Sequence, residues 1–339
     1  MIMFVWSYPE ASGVGPVTWV DTDLLLKLET CSGRARHNHG EAYTSALIEL
    51  GWSEAGKEHI AIELVDCARW YVTGESSGKD SFTLWVIVPF TLTTVLYWTF
   101  GGFYLFMDIT EKPAFLRKYK VQPGTNEPVE DEKLRKLLIT VLFNQFGIGL
   151  PMATLNWTVM RERSLGPVEL YPTPIRILFD LVVCLLLQEI GFYYSHRLLH
   201  HRLLYKIIHK KHHEWTSPIA ISAMYCHPIE HVFSNLMPPF LGLYVMRSHP
   251  ATAWIWFSIA ILATLNDHSD YHFPLLPSPE AHDFHHLKFN NCFGVIGLLD
   301  WLHGTDKMFR ASRAFDRHKI SLTVASQREK FPDIVKKSL

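Results

Sequence analysis

Two stretches of the chain, residues 81–107 and 137–160, carry no charged side chain. Each exceeds the roughly 20 residues a helix needs to cross a hydrocarbon core, so each predicts a membrane-spanning helix. Trp85, Tyr97, Trp98, Tyr104 and Trp157 supply aromatics of the kind that settle at membrane–water interfaces. A third apolar stretch, 177–194, contains Asp180 and Glu189. Acids are costly in hydrocarbon, so both are expected to face other helices rather than lipid. Two shorter stretches, 232–246 and 251–266, flank an Arg-Ser-His-Pro break. They predict a helical hairpin that dips into the bilayer or crosses it twice, returning the chain to the side it left. The pattern as a whole predicts an all-α, integral membrane helical bundle.

Basic residues set the expected orientation. Residues 108–136 hold Lys112, Arg117, Lys118, Lys120, Lys133, Arg135 and Lys136, whereas 161–176 hold only Arg161, Arg163 and Arg176. The positive-inside tendency puts 108–136 in the cytosol. The third apolar stretch then brings the chain back to the cytosolic face near residue 196, and 1–80 is left lumenal. The N-terminus does not read as a signal peptide, because its apolar start lacks a basic region and is interrupted at Pro9 and Glu10. Residues 41–72 have the pattern of an amphipathic helix or two, and no chemistry is assigned to 1–80. Lys336 and Lys337, fourth and third from the end, resemble a cytosolic dilysine retrieval signal of endoplasmic reticulum membrane proteins.

Composition then narrows the chemistry. With 32 basic and 33 acidic residues the charge is nearly balanced, which excludes an electrostatic case for nucleic acid. The five cysteines are far apart with no CxxC pair, so neither a disulfide framework nor a thiolate zinc site is indicated. Histidine is the unusual residue: fourteen of the 19 lie between His196 and His286. They form His196-Arg-Leu-Leu-His200, His209-Lys-Lys-His212-His213, His227-Pro-Ile-Glu-His231, His268-Ser-Asp-Tyr-His272 and His282-Asp-Phe-His285-His286. On a helix, residues three or four apart share a face, so each HxxxH aims two imidazoles at one point. The last two histidines of HxxHH diverge by about 100°, which suits two adjacent metals.

One HxxxH is weak, but its recurrence has no surface rationale. Ten imidazoles exceed what one first-row ion can hold and far exceed a structural zinc site, so two ions with about five nitrogens each are expected. Imidazole suits iron, zinc and copper alike. Glu214, Asp267, Asp270 and Asp283 are the nearby acids expected to accept the other ring N–H and fix the tautomers.

The motifs HRLLH, HKKHHEW, HPIEH, HSDYH and HDFHHLKF resemble the fatty acid hydroxylase superfamily, which includes C-4 methylsterol oxidases, sterol C-5 desaturases and lipid hydroxylases. The resemblance covers roughly residues 80–320 and implies a cytosol-facing di-iron centre; the dilysine pair adds the endoplasmic reticulum membrane as the expected location. The resemblance also implies O2 as co-substrate, a sterol or fatty acyl lipid as substrate, and electrons from NAD(P)H through a cytochrome b5-type partner. Carried over by position, the ligands are His196, His200, His209, His212, His213, His268, His272, His282, His285 and His286. His227 is read as a group behind the ligands, and His231 as either that or structural. Residues 1–80 depart from the pattern, lacking the further apolar span expected of relatives.

The expected organisation is therefore an N-terminal region (1–80), two transmembrane helices with a cytosolic loop (81–172), a catalytic domain (173–320) and a tail (321–339). The expected activity is a C-4 methylsterol oxidase-like lipid oxygenase. Hydroxylation of a fatty acid or sphingolipid chain is the alternative within that chemistry, and a non-catalytic regulatory protein retaining the metal boxes is the alternative outside it. A metal transporter fits poorly, because transport sites lie at the bilayer midplane whereas these boxes flank the apolar segments.

Overall fold

A computed structural model of the chain describes residues 82–161 and 171–333. The expectations for 1–80 and for the dilysine pair fall outside them. Helices make up every extended element among the described residues, as the apolar pattern predicts. A wide π-helical turn, Thr83–Ile87, runs into α1 (Val88–Thr110). Helix α2 (Asp131–Leu142) passes through a second wide turn, Phe143–Gly149, into α3 (Leu150–Arg161). These two runs, Thr83–Thr110 and Asp131–Val159, are long and apolar enough to cross a membrane.

Helix α4 (Pro174–Leu199) contains the third apolar stretch but continues past it, which puts His196 on its last turn. The expected hairpin is formed by α5 (Met237–Met246) and α6 (Pro250–Asp267), entered through the short turns Pro228–Glu230 and His231–Leu236. Pro174, Pro238 and Pro250 each open a helix, where the missing N–H is no loss and the fixed φ is already helical. Helices α4 and α5 touch at Gly242, where an added Cβ would lie 2.3 Å from the Cys184 backbone. That contact requires glycine.

Much apolar surface is left uncovered. Phe100, Phe103 and Phe106 on α1, and Leu178, Phe179 and Val182 on α4, are each about half exposed. The acids of α4 avoid that surface. Asp180 is buried against Arg176 Nε at 2.7 Å. Glu189 accepts from the backbone N–H of Val295 (2.6 Å), Ile296 (2.9 Å) and Leu299 (3.0 Å). Its carboxylate thus organises the segment that leads into α8 (Leu298–His303), the last element before the C-terminal turns, while α7 (Glu280–Lys288) carries the final histidine box.

The 108–136 loop is strapped to the histidine region by buried polar groups. Lys120 Nζ sits 3.0 Å from Asp108 Oδ1 and 3.4 Å from Asp270 Oδ2. The backbone N–H of Gln122 donates to Asp270 Oδ1, and Gln122 Nε2 donates to Asp283 Oδ1.

Candidate metal centre

Nine of the ten sequence-nominated histidines converge. His196, His200, His209, His213 and His285 form one group, and His212, His268, His282 and His286 a second; within each, the ring nitrogens lie within 4.8 Å of one another. Helix pitch explains the sorting in the first and last boxes; His209–Glu214 is a 3-10 turn, where the four-residue rule does not apply. Pairs four apart (196/200, 209/213, 282/286) share a group, whereas His212 and His285, each adjacent to the closing histidine of its box, go to the other group. The two groups abut, with the His213 and His286 rings 4.9 Å apart.

The backbone fixes which nitrogen faces inward. Nδ1 lies 2.9 Å from Phe293 O in His196, 2.9 Å from Thr264 O in His268, 2.7 Å from Asn291 O in His285 and 2.9 Å from Trp215 O in His286. A carbonyl oxygen only accepts, so Nδ1 carries the proton and, in the neutral ring, Nε2 is a bare lone pair. The Nε2 atoms crowd together: His209 and His213 are 3.0 Å apart, His213 and His285 3.2 Å, His282 and His286 3.1 Å, and His268 and His282 3.0 Å, so with neutral rings oriented alike they would set lone pair against lone pair. Such an arrangement is repulsive by itself. It matches the separation of about 3.0–3.4 Å between nitrogens bound roughly 2.1 Å from one shared ion. The donor set therefore fits two cations.

Burial and neighbouring imidazoles keep these rings neutral. Both causes push His196 and His212 down to about 4 and His268 to about 3, and they hold His209, His213, His282, His285 and His286 well below the ordinary value. In the unfolded chain the same rings take up protons near pH 6.5. The metal-free fold is thus expected to keep its full stability above pH 6.5 and to lose it as pH falls toward about 4, where the unfolded state binds protons that the folded one refuses. Bound metal should be lost in the same direction, because protons compete for the same nitrogens. Unfolding midpoints and metal content after dialysis between pH 8 and 4.5 check both. A flat profile through pH 5 would contradict them.

His272 stands apart from both groups. Its Nε2 lies 3.0 Å from Lys319 O and its Nδ1 3.5 Å from Glu280 Oε1, so both nitrogens are engaged elsewhere. His227 caps a helix by accepting from Ile229 N–H, and His231 is buried on a cavity wall. The four nominated acids are not found on histidine rings. Glu214 accepts from the Tyr225 hydroxyl, Asp270 and Asp283 hold the 108–136 loop, and Asp267 lines the cavity beside His268. The acid that does reach a converging ring is Glu230, with Oε1 2.9 Å from His209 Nδ1. Its position inside HPIEH was the available signal, masked by the histidines on either side. Replacing Glu230 with glutamine is expected to weaken metal binding by about 10–100-fold, as loss of such ring-orienting partners does. Competition with a chelator of known affinity measures it.

A cavity of about 760 Å³ opens onto the centre. Trp85, Phe90, Leu185, Phe240 and Trp256 contribute apolar walls, while His196, His209, His212, His268 and His282 line its metal-facing side. The volume is that of a single small-molecule site.

Comparison with known proteins finds relatives over most of the chain. A sequence model described as fatty acid hydroxylase matches residues 181–305. Fatty acid hydroxylase domain-containing protein 2 of Homo sapiens is 45% identical over 260 residues, covering 77% of this chain and 78% of that one. A fatty acid hydroxylase of Mycosarcoma maydis is 34% identical over 233 residues, 68% of this chain and 60% of the relative. A methylsterol monooxygenase of Arabidopsis thaliana is 30% identical over 249 residues, 68% of this chain and 89% of that one. No solved structure matches.

Proposed function

The chain belongs to the fatty acid hydroxylase family, and from that footing we propose that it is a membrane-bound, di-iron, O2-dependent lipid oxygenase acting on a C-4 methylsterol-like substrate. The observation that carries this reading is the pair of bare-nitrogen groups on the wall of an apolar cavity. The first group would hold one iron through His196, His200, His209, His213 and His285, and the second would hold the other through His212, His268, His282 and His286. Iron bound there would supply O2 chemistry: one oxygen atom enters a substrate C–H bond and the other leaves as water, with two electrons drawn from NAD(P)H through a cytochrome b5-type donor. The chain's own residues do the rest. Backbone carbonyls hold the His196, His212, His268, His285 and His286 rings in one tautomer and orientation, and Glu230 lies against His209. The apolar walls exclude water and present the lipid's hydrocarbon to the histidines.

Several features support residence in a membrane. Two helices have spanning length, and the half-exposed phenylalanines of α1 and α4 would meet lipid rather than water. In this reading the protein is a multi-pass protein of the endoplasmic reticulum with its histidines toward the cytosol. A lipid would then enter from the bilayer without crossing water. Hydroxylation of a fatty acyl or sphingolipid chain is the second reading, favoured by the similarity to the Mycosarcoma maydis protein.

Metal analysis of purified protein, followed by reconstitution with reductase, a cytochrome b5-type donor and O2, tests the proposal. Two irons per chain and an O2-dependent oxidised 4-methylsterol are expected. Conversion of acyl lipids alone would select the second reading. Absence of iron, or of any oxidised lipid, would remove both and leave a non-catalytic role.

A further inference from the structure

The first histidine group is reached from a second side. His200, the least buried of its five, lines an open hollow with Tyr194, Arg197, Tyr205, Phe289 and Phe293. That hollow shares no residue with the apolar cavity, which His196 and His209 of the same group line. Its aromatic walls touch the group: the Tyr205 ring lies 5.6 Å from that of His200 and 5.9 Å from His213, and Phe289 lies 4.9 Å from His213. A body seated in the hollow therefore comes within a ring or two of the metal-binding nitrogens without entering the lipid cavity.

The chain around this hollow is charged one way. Residues 190–213 contain Arg197, Arg202, Lys206, Lys210 and Lys211 and no acid, and 284–299 contain Lys288 and no acid. Arg197, Lys210, Lys288 and, on the short helix Arg202–Ile207, Arg202 and Lys206 are exposed. The nearest acids along the chain do not offset them. Asp300 is buried and accepts from the N–H groups of Phe293 and Gly294, and Glu214 accepts from the Tyr225 hydroxyl. Tyr194, Leu198, Leu203 and Ile207, each half exposed or more, add apolar contact area beside the cations. Aromatic and apolar contacts with a charged rim are the make-up of protein interfaces, and electron-transfer encounters are the small ones among them. A bilayer surface would match the charge but not the hollow, which leads to a metal-binding ring.

We propose that this basic hollow receives the acidic face of a small one-electron carrier protein, so that electrons enter at the first histidine group while the lipid occupies the cavity. The proposal rests on the oxygenase reading and adds the surface at which its electron donor docks. Each encounter oxidises the carrier by one electron and reduces the metal pair by one, so two encounters serve one turnover. Opposite charge steers such brief encounters and raises their rate more than their lifetime.

Full-length, iron-loaded protein in zwitterionic nanodiscs and the acidic haem domain of a cytochrome b5 provide the test. Arg202→Glu with Lys206→Glu reverses the rim. Arg135→Glu with Lys136→Glu makes the same charge change on α2, where both cations are exposed and paired with Glu132. The rim pair is expected to slow association with the haem domain about tenfold or more at low ionic strength, with little change in dissociation, and the difference should shrink as salt is raised. Its metal content should match wild type. Lys288→Glu, outside that short helix, should slow association by a smaller factor, and it decides the matter if the paired change disturbs the fold. The control pair should associate like wild type. Equal association by rim and control variants overturns the proposal and leaves an anionic lipid surface as the occupant of the patch; failure of wild type to associate at all overturns it too. Association that follows the rim charges with no lipid oxidised would count against the oxygenase reading alone. Oxidised lipid with association indifferent to the rim would count against the docking surface alone.

Discussion

Replacing His213 with alanine is expected to strip the protein to one metal ion or fewer and to abolish lipid oxidation. The Nε2 of His213 lies 3.3 Å from that of His200, 3.0 Å from His209 and 3.2 Å from His285, so its removal opens the middle of the five-nitrogen group. Loss of a partner merely behind a ligand lowers affinity or activity by about 10–100-fold, and a ligand itself should cost more. His272→Gln is the matched control: the sequence spacing treats it as a ligand, whereas its nitrogens face Lys319 O and Glu280. Elemental analysis and product formation on the two variants side by side decide the matter. Equal metal loss in both would mean that His272 takes part after all.

Glu189→Ala should be the most damaging change outside the histidines. Three backbone N–H groups, on Val295, Ile296 and Leu299, would lose their acceptor inside the protein. Only the Leu299 bond is buried, whereas Val295 and Ile296 lie nearer the surface, so the expected loss is about 1–3 kcal/mol. The consequence reaches the metal centre, because the same segment begins at Phe293, whose carbonyl accepts from His196 Nδ1. Glu189→Gln should be milder, since the amide keeps one acceptor oxygen but turns an NH2 toward backbone donors. Chemical denaturation in detergent, with metal content read in parallel, gives both effects. An unchanged denaturation midpoint for Glu189→Ala would contradict the role assigned to this carboxylate.

Much of this arrangement is legible in residue spacing, and the exceptions have physical causes. Charge-free length gives α1 and the α2–α3 run, and the acids in 177–194 face protein groups as expected, Asp180 against Arg176 and Glu189 against backbone N–H. Four-residue spacing brings 196/200 and 282/286 into shared groups on α-helical turns, and 209/213 shares a group from a 3-10 turn. It misleads at 268/272, where α6 ends at Asp267 and Asp270 adopts a positive φ of 61° that points His272 elsewhere. Two of the nominated acids, Asp270 and Asp283, serve the loop instead, since Lys120 and Gln122 arrive from a segment about 150 residues away. Nothing in a sequence marks Phe293, Thr264, Asn291 or Trp215 as the source of a tautomer-fixing carbonyl, because every residue has one.

The division of His212 from His213, and of His285 from His286, has a consequence for how the protein fills. Each pair spans a single peptide bond, and each sends one ring to either group. Two rigid links therefore join the sites, so the first ion to arrive orders backbone that the second also needs. Loading should be cooperative: titrating iron into the empty protein would pass directly from none to two, with little singly occupied species along the way. A cell short of iron would then hold a mixture of full and empty molecules rather than a population of half-built ones.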